Sequence, residues 1–258
     1  MKVIENIVLV GTGNVAKHLS KAILNAGIRI SGVWSRDYEN AHSFAENISS
    51  RAFKNINEAS KGKTDLVLIC VKDDALREVL QNIDSDLPVA YTSGSVGLEI
   101  LPKRDMLGVF YPLQTFSKDK LVEFSSIPIL LESSSTEFSE ALFELATKIS
   151  NTVEYADSQD RFQLHIAAVM VNNFTNHLVD LAQTHAHKHH LDFELLHPLL
   201  FETVDKLKQL KPSEAQTGPA KRGDTDVIEK QMNSLQGRTK EIYKLLSESI
   251  MEKHKQEK

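Results

Sequence analysis

Gly11-Thr12-Gly13-Asn14-Val15-Ala16 reads G-x-G-x-x-A. A short apolar run, Asn6 to Val10 (NIVLV), precedes it. A segment with apolar residues at 15, 16, 19, 22, 23 and 26 follows, from Asn14 to Ala26. The run predicts a strand and the segment an amphipathic helix of period 3.6. A glycine turn between strand and helix is the context in which this triplet holds a dinucleotide. Gly11 permits the tight turn, Gly13 leaves room for a pyrophosphate, and Ala16 lets helix and strand pack closely. The free N–H groups and dipole of the helix N-terminus favour negative charge. Gly11, Thr12, Gly13, Asn14 and Val15 are therefore candidate cofactor-binding residues. The alternative is a structural turn without a ligand.

Outward from this turn, strands and helices alternate. Strands are predicted at Arg29–Trp34, 65–71 (DLVLICV), 87–92, 107–111, 127–131 and 152–155. Helices are predicted at 38–47, 74–82 and 136–150. The 65–71 run is apolar on both faces, as a strand between helical layers must be. This alternation predicts an α/β fold, a doubly wound and mostly parallel Rossmann sheet. Near residue 157 the pattern becomes helical throughout. Asp157 or Ser158 starts a helix that runs to about His190 without Gly or Pro, and more follows at 193–210 and 226–253. Between the last two lies a turn-rich stretch, residues 211–225. The chain is expected to hold a dinucleotide-binding domain, residues 1–156, and an all-α substrate and dimerisation domain, residues 157–258.

Composition bounds the partners. The chain has 258 residues, which suits one large domain or two modest ones at about 100–200 residues each. Thirty Lys and Arg against 35 Asp and Glu leave a net charge of −5, no footprint for a nucleic-acid binder. One cysteine excludes an internal disulfide and a four-cysteine zinc site. No apolar run reaches about 18 residues, and the N-terminus does not read as a signal peptide. The expectation is a soluble, cytoplasmic protein with neither a membrane nor a nucleic-acid partner.

The end of the second strand selects the cofactor. An NAD site places Asp or Glu about 20 residues past the glycines to accept from the ribose 2′-OH. Here Ser35 and Arg36 stand there. Arg pairs with a 2′-phosphate in a bidentate way, so NADP is expected. Asp37 is the counter-argument, because a slip of one residue would restore a carboxylate; Arg36 would then be a solvated loop charge. At the ends of later strands, Val71 and Lys72, then Ser93 and Gly94, are further cofactor candidates. Ser95 and Gln114 are substrate candidates. Asp73 or Asp74 reads more simply as a helix cap. Cys70, inside an apolar strand, reads as packing.

Past residue 158, His165, Asn172 and Asn176 share one face of an ideal helix, spaced seven and four apart among apolar neighbours. They predict a polar stripe on a buried helix, facing either a substrate or other helices. Asn173 lies off the stripe and is a substrate candidate. His185, His187, His189 and His190 read as a solvated helix end, not a metal site. Lys221 and Arg222, in a glycine-bounded turn, are a candidate anion or substrate site. Asp224 or Asp226 is expected to cap a helix, Asp226 with Glu229 as a capping box.

Together, G-T-G-N-V-A (11–16), V-K-D-D-A-L (71–76), Y-T-S-G-S (91–95), F-Y-P-L-Q-T-F (110–116), the His165/Asn172/Asn173/Asn176 helix and T-G-P-x-x-R-G-D (217–224) resemble a family of Rossmann-like proteins with a C-terminal domain of unknown function. The chain is similar to pyrroline-5-carboxylate reductase. More distantly it resembles 6-phosphogluconate and 3-hydroxyisobutyrate dehydrogenases. The resemblance implies an NADP-type Rossmann domain and a helical domain that mediates a homodimer and completes the active site. The hydroxyacid dehydrogenases place a catalytic lysine four residues before an asparagine. Here Ala168 and Val169 hold those positions. His165, one turn earlier, is the substitute proton donor, with Asn172 and Asn176 beside it as catalytic candidates. The expected activity is hydride transfer between NADP and a small C=N or C=O substrate in the interdomain cleft. The alternative is a non-catalytic NADP-binding sensor or assembly protein.

Overall fold

The computed structural model describes residues 3–118, 120 and 122–255. The chain divides into two compact units, Met1–Asn173 and Phe174–Lys258.

Seven strands form one sheet in the first unit: β1 Asn6–Val10, β2 Arg29–Trp34, β3 Leu66–Ile69, β4 Val89–Tyr91, β5 Leu107–Pro112, β6 Ile129–Ser133 and β7 Val153–Tyr155. The order is β2-β1-β3-β4-β5-β6-β7. Every pairing is parallel except β5 with β6. Helices α1 Asn14–Asn25, α2 Tyr38–Asn47, α3 Asp73–Gln81 and α4 Thr136–Thr147 connect the strands, and α5 Ser158–Ala168 follows β7. The predicted doubly wound sheet is present.

Side-chain alternation sends successive strand residues to opposite faces. Ile7 and Leu9 join one buried cluster with Leu19 and Ile23 of α1 and Leu142 of α4. Val8 and Val10 join another with Leu76 and Val79 of α3. Both faces of β1 are therefore dry, which is why its five residues are all apolar or buried. The chain passes from β2 across β1 to β3, so the winding reverses between β1 and β3. Such a switch point opens a crevice at the carboxyl ends of the strands.

The predicted helix from 158 is present to Lys188, but it is not α-helical throughout. Val169–Phe174 is a π-helical turn, after which α6 runs Thr175–Lys188. A wider turn breaks the 3.6-residue phase from which the polar stripe was derived. Nor is this helix buried in the single chain: Met170, Val171 and Phe174 are exposed, Val171 at 75 %.

The second unit adds α7 His197–Lys206, two one-turn helices (α8 Pro212–Ala215 and α9 Pro219–Arg222), α10 Thr225–Asn233 and α11 Gly237–Lys255. The turn-rich stretch thus contains short helices opened by prolines, whose fixed φ suits a first helical position. Asp224 and Asp226 do not cap. Asp224 takes the N-cap position of α10 without a side-chain hydrogen bond, because Arg222 Nε holds its carboxylate at 2.9 Å. Among the described residues, no helix is long and apolar enough to cross a membrane.

Candidate functional site

The loops after β1 to β5 meet at one edge of the sheet, since these strands are parallel. Gly11 adopts φ +105°, and a Cβ there would lie 2.4 Å from the Cys70 carbonyl oxygen. Glycine is thus required twice, by the backbone and by the neighbouring strand. Gly13 differs. Its φ of −76° suits any residue, and a Cβ would meet nothing within 4 Å. The fold has no need of glycine at 13; a ligand seated against the backbone does. No side chain caps α1 at Gly13, so the N–H groups of its first turn are available to an anion. Thr12 and Val15 are half-buried at this turn. Asn14 Nδ2 donates to the Phe116 carbonyl at 2.9 Å and fastens the loop after β5 to the turn.

Beyond β2, Ser35 is half-buried and Arg36 exposed, with no side-chain hydrogen bond or ion pair to a described residue. Asp37 is committed elsewhere. Its carboxylate accepts from Glu39 N at 2.9 Å and Asn40 N at 3.3 Å, capping α2. The register that could have placed a carboxylate beside a ribose is therefore used for the cap. Val71 borders Gly11, and Lys72 is exposed at the start of α3.

The turn after β4 holds itself together. Ser93 is buried, and its hydroxyl accepts from Ser95 N at 3.2 Å and Val96 N at 3.0 Å. Ser95 donates to Asp73. The expected capping role of Asp73 and Asp74 is corrected accordingly. Lys72 is the N-cap of α3, without a side-chain bond, and Asp73 ties α3 to the turn. Cys70 is buried, which pushes its thiol up to about 12 despite a hydrogen bond with Thr92; this is the setting of a structural, unreactive cysteine.

Beside Gly94, Tyr111 and His165 meet. Tyr111 Oη and His165 Nδ1 are 3.0 Å apart. A Cβ on Gly94 would sit 2.7 Å from Tyr111 Cζ and 2.8 Å from His165 Nδ1. Both rings line a cavity of about 430 Å³, with Gln114, Thr115, Asn172 and Asn173 as its other polar groups. The remaining lining is aliphatic, from Leu113, Leu164, Ala167, Ala168, Val169 and Val171. Asn173, predicted off the stripe, lines the cavity beside Asn172, because the π turn reorients both. Asn176 belongs to α6 in the second unit, as do Lys221 and Arg222 to α9 of that unit. Arg222 is paired with Asp224 at 2.8 Å, so its charge is already neutralised. Lys221 Nζ reaches the Ser213 carbonyl at 3.4 Å. His185 and His189 have ring centroids 4.7 Å apart at the end of α6, and no cluster of three potential metal ligands occurs among the described residues.

Two residues escaped sequence reasoning. Tyr111 stood inside a noted motif, but its partner lies 54 positions away. Arg161 is 0 % exposed. It pairs with Glu132 and donates to the Val96 carbonyl at 2.7 Å. Ser158 donates to the same Glu132 at 2.8 Å. An arginine on an otherwise ordinary helix carries no sequence signal for such burial.

A mostly parallel sheet with this glycine turn at its switch point defines a Rossmann-type fold. Residues 6–90 match the family model described as NADP oxidoreductase, coenzyme F420-dependent. Residues 127–250 match Domain of unknown function DUF2520. The chain is 37 % identical to a Bacteroides fragilis protein whose assignment as an NADP oxidoreductase is provisional, over 96 % of this chain and 98 % of that one, at a TM-score of 0.84. The chain belongs to this family of Rossmann proteins with a DUF2520 domain. A Thermotoga maritima protein shares the fold at 23 % identity and TM-score 0.72, over 97 % of this chain and 99 % of that one. So does 1-pyrroline-5-carboxylate reductase from Streptococcus pyogenes, at 14 % identity and TM-score 0.66, over 97 % and 98 % of the two chains. No curated protein matches the chain.

Proposed function

We propose that the protein is an NADP-dependent reductase of small, uncharged C=N or C=O compounds, working as a homodimer. The observation that carries the cofactor is the contrast at the glycine turn. Gly11 answers to the fold, whereas Gly13 leaves an open cradle beside uncapped N–H groups. Arg36, exposed at the end of β2 while Asp37 caps α2, supports a 2′-phosphate over a 2′-hydroxyl. Ser35 would add a hydroxyl beside that phosphate. When bound, the dinucleotide supplies the hydride.

The chain's own part is to hold the acceptor and protonate its heteroatom. The cavity by Gly94 supports this role. Among the described residues, its lining contains no Asp, Glu, Lys or Arg. A carboxylate seated there would lose hydration without gaining an ion pair, which favours an uncharged substrate. Asn172, Asn173 and Gln114 would orient its polar end, and His165 would donate the proton. Ala168 and Val169, where the hydroxyacid dehydrogenases resembled here carry a lysine, are the observation that favours the second reading, a dinucleotide sensor.

Calorimetric titration tests the cofactor. NADPH should bind at least about tenfold tighter than NADH, or about 1.4 kcal/mol. Equal affinities would refute the assignment.

A further inference from the structure

We propose that Tyr111 is the positioning partner of His165: its hydroxyl donates to Nδ1, holds the ring as the Nε2–H tautomer, and refills the proton that Nε2 gives up. The inference rests on the reading of His165 as proton donor and assigns the group that prepares it.

Three observations carry it. The first is the contact itself, 3.0 Å between Oη and Nδ1, with the rings edge to face at a centroid separation of 6.1 Å. A phenol hydroxyl can donate or accept at this distance, and we take it as donor to the imidazole nitrogen without a proton. With the phenol as donor, Nδ1 is occupied and Nε2 carries the hydrogen. The second is Gly94. Its φ lies outside the left-handed region, so its backbone does not call for glycine. Any Cβ would collide with both rings, at 2.8 Å from Nδ1 and 2.9 Å from Oη. What requires the glycine is the Tyr111–His165 pair. The third is the buried Arg161, paired with Glu132. Arg161 has no exposure, and its charge favours a phenolate at Tyr111, while burial, the larger effect, and Asp73 oppose it. The phenol therefore rests protonated, and of these influences Arg161, itself paired with Glu132, is the one that favours its transient anion.

The proton balance closes. Nε2–H gives its proton to the oxygen or nitrogen of the reduced substrate. Nδ1 takes the proton of Tyr111, so the imidazole stays neutral and Tyr111 becomes phenolate. Solvent then protonates Nε2, and Nδ1 returns its proton to Tyr111. One solvent proton is consumed for each hydride delivered, and no group is left changed.

The test needs no substrate. Ring ¹⁵N spectra of the intact protein, with His165 assigned by comparison with His165→Gln, report the tautomer at a pH where the ring is neutral. The wild type should show Nδ1 as an acceptor and Nε2 protonated. Tyr111→Phe should lose this preference and show both tautomers. A wild-type ring protonated at Nδ1, or a tautomer unchanged in Tyr111→Phe, overturns the proposal. If Tyr111→Phe does not fold, Gly94→Ala replaces it and should likewise lose the preference; a preference it retains overturns the proposal. Calorimetry separates the two levels. Tyr111→Phe should bind NADPH within twofold of the wild type, whereas a wild type that binds no dinucleotide refutes the functional reading and leaves the tautomer result standing.

Discussion

At Gly13 the backbone angles, φ −76° and ψ −174°, suit any L-residue. Gly13→Ala should therefore leave stability unchanged or raise it by about 0.4–1 kcal/mol, through a less flexible unfolded chain. NADPH affinity should fall at least about tenfold, because the new methyl occupies the cradle. Thermal unfolding and calorimetry on the same sample check both halves; a stable variant with full affinity would show that nothing sits there. Gly11→Ala is the control and should lower the melting temperature, since its Cβ meets the Cys70 carbonyl. Arg36→Ala should remove most of the NADPH over NADH preference while leaving NADH affinity near the wild-type value, measured by competitive titration. These residues were legible in the sequence because a turn between strand and helix is local. The opposite holds for Tyr111 and His165, whose contact joins positions that no periodicity relates.

Helix α5 shows how an element is held by one residue. Arg161 joins it to β6 through Glu132 and to the segment after β4 through the Val96 carbonyl. Tyr91 donates to that same carbonyl at 2.9 Å. Removing the arginine leaves the Glu132 carboxylate without its counter-charge, with Ser158 as its remaining donor, and withdraws one of that carbonyl's partners. Arg161→Ala should cost about 3–5 kcal/mol. Urea denaturation should show a lower midpoint at an unchanged slope. The double change Arg161→Met with Glu132→Met should recover most of the loss, because no buried charge is then left unpaired; equal costs in single and double variants would dismiss the pair. The π turn at Val169–Phe174 belongs to the same scale. Nothing in VMVNNF marks it, since the distinction from an α turn is one hydrogen-bond register. An ideal-helix count groups Asn172 with His165 and sets Asn173 apart, whereas in the folded chain Asn172 and Asn173 both line the cavity with His165.

For the whole molecule, the second unit leaves Leu195, Leu199 and Phe201 exposed, Leu195 at 75 %. A surface this apolar calls for a partner. We expect a second copy of the chain to cover it, and light scattering at micromolar concentration should return about twice the 28.9 kDa chain mass. A clean monomer would refute the dimer. The doubly wound sheet, the glycine turn and the helical remainder were all readable along the chain. Each rests on short-range regularity: alternation along strands, a 3.6-residue period, and turn residues at fixed offsets. Two further features came from packing alone: Arg161 is buried, and Tyr111 meets His165 over Gly94. Those outcomes depend on which distant groups compete for the same donor or carbonyl. That competition is settled when the sheet and α5 pack, and no local pattern encodes it.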